Sequence, residues 1–229
     1  MKKPALALLF SIVLQPFPAP AQIGKNIIDE AKQRNVFIVV ETRENRTPPF
    51  RFLGKKHGQH TDSGVILSDD YILSACHLVL NSVTINILVG ISLEPLTIVK
   101  TDPQRDLILL RSPLKSRIPP VKMAEKTTGG DPVFIVSNPL GILDKTTYGY
   151  LNGEELGTFF DKKMRPELTL LLSDAFCISG SSGGGLWDAS NATLIGIVIG
   201  LQEFGLHSVI VPAEAIREFL RDTPLEGLP

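Results

Sequence analysis

Cysteine is nearly missing from this chain: Cys76 and Cys177 are the only two in 229 residues. So few exclude a small scaffold stapled by several disulfides. One bridge remains open if the alpha carbons lie within about 7 Å, but two separate buried thiols are the expectation. A surplus of either charge is missing as well. With 23 basic and 24 acidic residues the net charge is −1, which gives no polybasic field for nucleic acid or an anionic membrane. Lys55-Lys56-His57 reads as a solvated loop. Long apolar runs are also lacking. The run from Ala5 to Leu14 is about half the roughly 20 residues of a spanning helix, and Pro16, Pro18 and Pro20 follow it at once. No internal repeat or low-complexity segment is present.

What that N-terminal run does fit is a cleavable secretory signal. Met1-Lys2-Lys3 precedes it, and Ala19-Pro20-Ala21 supplies the small-x-small cleavage pattern before Gln22. Export, to the periplasm or out of the cell, follows as an expectation, with residues 1–21 removed and no stable membrane anchor left. The remainder, 22–229, is long enough for one globular domain or two small fused barrels with a sizeable core.

Along that remainder, Ile23 to Gln33 has helical spacing of apolar residues with Asp29, Glu30 and Lys32 on a wet face. Short β-rich runs follow: Val36 to Glu41, Gly64 to Leu67, Tyr71 to Ser74, Val83 to Val89, Leu96 to Lys100 and Leu107 to Arg111. Thr47-Pro48-Pro49 and Lys55 to Asp62 read as exposed loop, and Asp69-Asp70 as a hairpin turn. Ser112 to Ala124, with three prolines, reads as a connector between two halves. A second strand set comprises Pro132 to Ser137, Thr146 to Leu151, Leu168 to Ser173, Gly185 to Asp188, Thr193 to Gly200 and Ser208 to Val211. Pro212 then opens a closing helix. Many short strands with turns between them predict an all-β architecture.

Three segments carry chemistry. His77 follows the strand Tyr71-Ile72-Leu73. Asp106 precedes the aliphatic strand Leu107 to Leu110. Ser182 sits in the turn Gly180-Ser181-Ser182-Gly183-Gly184-Gly185. A serine hydroxyl attacks a carbonyl only when an imidazole takes its proton, and the imidazole needs an acid to hold its tautomer and stabilise its charge. Glycine-dense backbone can also aim several N–H groups at one point, as an oxyanion requires. Singly, a core histidine, a turn-capping aspartate and a plain glycine loop are the ordinary alternatives. Their conjunction, in the order His, Asp, Ser, differs from the subtilisin and α/β-hydrolase orders.

On these segments the chain resembles the chymotrypsin-like serine proteases, and most of all the bacterial HtrA/Deg branch. Gly64-Val65-Ile66-Leu67, Gly130 to Ile135, Asn138-Pro139-Leu140-Gly141, Ser173-Asp174-Ala175, Ile195-Gly196-Ile197 and Val209 to Pro212 extend the likeness over Val36 to Leu220. The resemblance implies a double β-barrel of two six-stranded barrels, about 36–112 and about 124–212, with a short N-terminal helix and a closing helix at 213–222. It implies His77 as general base and acid, Asp106 as orienting carboxylate, Ser182 as nucleophile, and the backbone N–H groups of Gly180 and Ser182 as oxyanion donors. No metal or cofactor is expected.

Two departures stand out. Ser181 replaces the family's Asn or Asp, and Gly185 its Pro, so a looser oxyanion turn is expected, with no partner for a buried N-terminal amine. Phe176, six residues before the nucleophile, falls where relatives have the base of the specificity pocket, and Ile197 and Ile199 look like an apolar wall. Cleavage after small or medium aliphatic residues is therefore expected. The PDZ modules common in that branch are not expected, since the chain ends soon after Leu220. Glu154 to Glu167 reads as a loop whose Phe159-Phe160 tucks into the barrel. The partner is a protein or peptide substrate, with self-association left open. The competing reading is a weakly catalytic pseudo-protease that binds peptides; an esterase using the same triad is a third. With an ordinary imidazole as base, activity should fall below about pH 6.

Overall fold

The computed structural model describes residues 23–44, 56–79, 82–202 and 206–229. The expected secretory signal, its expected cleavage after Ala21, and the expected loop at Thr47-Pro48-Pro49 fall outside these residues. Helix α1 (Lys25–Arg34) leads, with Lys32 and Arg34 in its last turn, where cations suit the helix dipole. Arg34 is buried and donates to the carbonyl of Pro119 at 3.0 Å, fixing the helix to the connector between the halves.

The first half is a strongly bent antiparallel sheet. Its strands are β1 (Asn35–Glu44), β2 (Lys56–Ser68), β3 (Tyr71–Ala75), β4 (Ser82–Val89), β5 (Ser92–Pro95), β6 (Thr97–Asp102) and β7 (Leu107–Arg111), in the order β5-β4-β1-β2-β3-β7-β6. The outermost strands, β5 and β6, are consecutive in sequence. Only Leu96 stands between them, its N–H bonded to the carbonyl of Ile85 at 2.8 Å. The two edges of the sheet therefore meet through the chain itself. The seven-stranded sheet makes the half-barrel of the first half, with β5 and β6 separated by one residue.

The second half closes through its hydrogen bonds. Strands β8 (Pro132–Ser137), β9 (Lys145–Leu156), β10 (Thr169–Ser173), β11 (Gly185–Asp188), β12 (Leu194–Leu201) and β13 (Ser208–Pro212) form a closed barrel in the order β10-β13-β12-β11-β8-β9. The short helix α2 (Gly157–Phe160) follows β9, and α3 (Ala213–Leu220) closes the chain directly after Pro212. Together these are a chymotrypsin-like double β-barrel, all-β apart from short helices.

Period-2 alternation explains three separate cores. Ile72, Ile108 and Leu110 point into the first barrel with Ile38, Val40, Ile85 and Leu96. Val133, Ile135, Val198 and Ile210 point into the second. The intervening residues, Leu73, Leu107 and Leu109 from one half and Phe134, Val136, Ile197 and Val211 from the other, meet in a third core between the barrels. Strands buried on both faces read as continuous apolar runs, which is why Leu107 to Leu110 and Leu194 to Ile199 show no polar alternation.

The expected exposed loop at Lys55 to Asp62 is corrected here. From Lys56 onward these residues are strand β2, paired in unbroken register with β1 from Glu44↔Lys56 to Asn35↔Val65. Their polarity hides the strand from a pattern reading, and pairing with β1 overrides propensity. Asp62 is consequently buried, with its side chain 7% exposed. Strand β5 and helix α2 also go beyond what the pattern foresees. Both cysteines are free and buried, Cys76 against the first barrel core and Cys177 against the second.

Candidate active site

His77 lies on a 3₁₀ turn, Cys76–Val79, that leaves the end of β3. The turn is pinned by the loop before β7. Cys76 N–H donates to the Asp106 carbonyl at 3.0 Å, and His77 N–H donates to Asp106 Oδ1 at 2.7 Å. The second carboxylate oxygen faces the ring, 2.6 Å from His77 Nδ1. Asp106 thus holds the imidazole by backbone and side chain together, and Nε2 has no hydrogen-bond partner among the described residues. To do so it adopts φ 55°, a left-handed conformation that aspartate tolerates better than most residues. Burial lowers the proton affinity of His77, but the hydrogen bond and charge of Asp106, with the charge of Asp62, outweigh it and leave the pKa raised above its ordinary 6.5.

Ser182 arrives from the other barrel, in the turn before β11. Ser181 N–H donates to Ile178 O at 2.8 Å, Gly184 N–H to Ser181 O at 2.9 Å, and Gly183 N–H to Val198 O at 2.8 Å. The amides of Gly180 and Ser182 donate to no protein acceptor among the described residues. Outside the turn, Leu140 N–H holds the Ser179 carbonyl at 2.9 Å. Because the N–H of a planar peptide points opposite its carbonyl, this contact turns the Gly180 N–H away from Leu140. Gly180 has φ 89°, and a Cβ there would lie 2.8 Å from the Asn138 carbonyl. Gly183 has φ 82°, and its Cβ would lie 2.1 Å from the Ser63 carbonyl. Both positions require glycine.

The turn is not loose at Ser181, contrary to expectation. That residue is buried, and its hydroxyl receives hydrogen bonds from Ile178 N–H and Ser137 Oγ, both at 3.2 Å. A side chain at Gly185 would meet the Trp187 indole, 2.6 Å from its nitrogen, so the large aromatic occupies the space a proline would need.

One residue of β2 joins the halves. Ser63 N–H donates to the Ser182 carbonyl at 3.0 Å, its hydroxyl donates to Gly180 O and accepts from Asn138 N–H, both at 2.8 Å, and its carbonyl accepts from Ser74 Oγ at 2.7 Å. Sequence reading misses Ser63 altogether. Its only signal there is a small residue preceding Gly64.

The residues expected to form the specificity pocket are not gathered in one place. Phe176 is 57% exposed at the surface, its carbonyl held by Thr147 Oγ1 at 2.7 Å. Ile197 is wholly enclosed in the core between the barrels. Ile199, though 3% exposed, lines a cavity of about 410 Å³ beside His77, with Pro103, Phe160 and Met164. The Phe160 ring covers Gly200, so a Cβ there would sit 2.9 Å from it, and it packs against the core between the barrels, while the Phe159 side chain expected to tuck in with it falls outside what is described. The Cys76 thiol beside His77 is pushed up to about 11, by burial first and then by the charges of Asp106 and Asp102, so it stays protonated at neutral pH.

A double β-barrel that sets a histidine–aspartate pair on one half and a serine in a glycine-rich turn on the other has the architecture of the chymotrypsin-like class. The sequence matches the trypsin-like peptidase domain over residues 62–197, more than half of the chain, and the protein is a member of that family. No curated protein sequence matches. Among solved structures, the HtrA-type protease AlgW with a tripeptide is 20% identical with a TM-score of 0.71, covering 88% of this chain and 63% of its own. The chain thus spans less than two thirds of that protein. The Rv3671c protease from M. tuberculosis in its active form is 20% identical with a TM-score of 0.71, covering 95% of both chains. The serine endoprotease from Yersinia pestis is 22% identical with a TM-score of 0.62, covering 86% of this chain and 66% of its own. At such identities the likeness is one of fold.

Proposed function

We propose that the protein is an exported serine endopeptidase in which His77, Asp106 and Ser182 form the catalytic triad. The 2.6 Å contact between Asp106 and His77 Nδ1 carries the reading, because it leaves Nε2 as the ring's free base. Ser182 Oγ attacks the scissile carbonyl while Nε2 takes its proton. Asp106 stabilises the imidazolium, and the unused N–H groups of Gly180 and Ser182 receive the oxyanion. The imidazolium then protonates the leaving amine, and water activated at Nε2 hydrolyses the acyl-enzyme.

Small or medium aliphatic side chains are the proposed preference before the scissile bond, supported by the apolar lining that Ile199, Phe160 and Met164 give the cavity beside His77. A protein or peptide is the substrate, and the segment at 1–21 directs export. One observation favours the pseudo-protease reading: among the described residues no hydrogen bond joins Ser182 Oγ to His77. Such contacts often tighten only around substrate, however, so the assembled pair and free oxyanion donors weigh more.

A fluorophosphonate probe tests the choice on residues 22–229 at pH 8. Adduct at Ser182, lost in His77→Ala, is expected. A folded protein that stays unlabelled overturns the proposal.

A further inference from the structure

The structure holds a second carboxylate at the seam. Asp62 lies on β2 beside Ser63, the residue whose N–H bonds the Ser182 carbonyl. Its side chain is only 7% exposed, and among the described residues the cation-forming group in contact with it is His60, with Nε2 3.5 Å from Oδ2. The same His60 nitrogen is 3.1 Å from the carbonyl of Leu78, the residue after His77. Asp62 therefore adjoins the residue that ties the Ser182 turn to β2, and His60 links it to the turn that carries His77. Polarity alone would place it in a solvated loop.

A buried carboxylate held by no short, well-formed hydrogen bond is costly when ionised, and a second one near an imidazole already served by Asp106 is not needed to orient the ring. Building on the triad assigned above, we propose that Asp62 is a second active-site carboxylate, a positioning residue that acts electrostatically through His77 to stabilise the imidazolium formed as Ser182 loses its proton.

The charged and titratable surroundings are few among the described residues. From its own strand Asp62 meets His60; from the 3₁₀ turn it feels His77, itself bonded to Asp106. Its partner on β1 is Ile38, with Phe37 and Val39 on either side. Burial raises the Asp62 pKa to about 7, with the positive charge of His77 pulling against it. Ionised Asp62 in turn raises His77. Groups so coupled titrate as a pair, with apparent values that belong to both. Above neutrality Asp62 is charged and helps the imidazolium form; below, it is neutral and that help is withdrawn.

The test reads the coupling apart from turnover. In the Ser182→Ala protein, the imidazole of His77 is titrated by NMR with and without Asp62→Asn. The variant should lower the His77 pKa. In the enzyme with Ser182 intact, Asp62→Asn should shift the acid limb of kcat/KM to lower pH and reduce the plateau at pH 8.5 by about tenfold per unit of imidazolium stabilisation lost. A folded Asp62→Asn protein with an unchanged His77 pKa overturns the proposal, even if its activity falls. Should the variant fail to fold, the Asp62 carboxyl carbon and the His77 ring are titrated in Ser182→Ala itself. Shared inflections support the coupling and independent single ones overturn it. Were the protein to cleave nothing, the titration would still decide the matter, so this inference and the proposed function fail separately.

Discussion

The two barrels solve the problem of exposed sheet edges differently. The second closes through a full ladder of hydrogen bonds from β10 around to β9. The first is a half-barrel sheet whose two outermost strands, β5 and β6, are joined by the chain itself through Leu96. Strand β12 is buried along most of its length, whereas β5 and β6 are largely exposed, with Leu93 and Ile98 open to solvent. Ser182 is set in the closed barrel, while His77 and Asp106 hang from the half-barrel. Parts demanding rigid backbone geometry, two φ-positive glycines and a pair of aimed N–H groups, lie on the better-buttressed half. His77 and Asp106 are held by their own mutual hydrogen bonds and tolerate a softer support.

The largest effect should come from the chemistry itself. Ser182→Ala in the second half should lower turnover on the order of 10⁶-fold, and Asp106→Asn in the first about 10⁴-fold, both measured as kcat on a peptide substrate. Equal losses would mean the halves contribute more symmetrically than the geometry implies.

Backbone comes next. Gly183→Ala forces a Cβ to 2.1 Å from the Ser63 carbonyl at φ 82°, whereas Gly90→Ala, at φ 62° in the β4–β5 turn, meets nothing within 4 Å. The first should destabilise by at least about 3 kcal/mol and abolish probe labelling, the second by about 1 kcal/mol with labelling intact, as chemical denaturation would show.

Asp62 offers a stability test in the first half. Its folded pKa, about 7, exceeds the unfolded value near 3.9. The folded state therefore binds the extra proton between those values, and stability is lost as pH rises through that window. Asp62→Asn should raise the melting temperature at pH 8, recovering on the order of 2–4 kcal/mol, and make little difference at pH 3.5. The raised His77 pKa acts on activity in the opposite sense. Neutral imidazole is lost as pH falls, so the acid limb of kcat/KM should lie above 6.5 rather than near 6.

The smallest effect is local. Amides of β5 and β6 should exchange with solvent faster than those of β10 and β12, because less apolar burial opposes their opening. Uniform protection across both barrels would erase the distinction.

Much of the architecture is legible in the amino-acid sequence. Leu107 to Leu110 and Leu194 to Ile199 announce strands because both their faces are buried, and His77 beside one strand, Asp106 beside another and Ser182 in a glycine-dense turn stand out in the sequence by their conjunction. Hidden elements share a physical cause. Lys56 to Asp62 carries a polar pattern yet pairs with β1, whose partner residues lie well away along the chain. Burial of Asp62 and the role of Ser63 therefore emerge only in three dimensions. Phe176 misleads for the converse reason: spacing from Ser182 locates it along the chain, but the loop path sends its ring to the surface.

Ser63 is also a fuse. Its amide proton can exchange with solvent only when the bond to the Ser182 carbonyl opens, and that same opening slackens the contacts to Gly180 and Asn138. The two barrels cannot drift apart while the nucleophile stays seated. On heating, probe labelling at Ser182 should be lost as this junction opens, before either barrel melts, and the slowness of one serine's isotope exchange becomes a clock for how long the seam stays assembled.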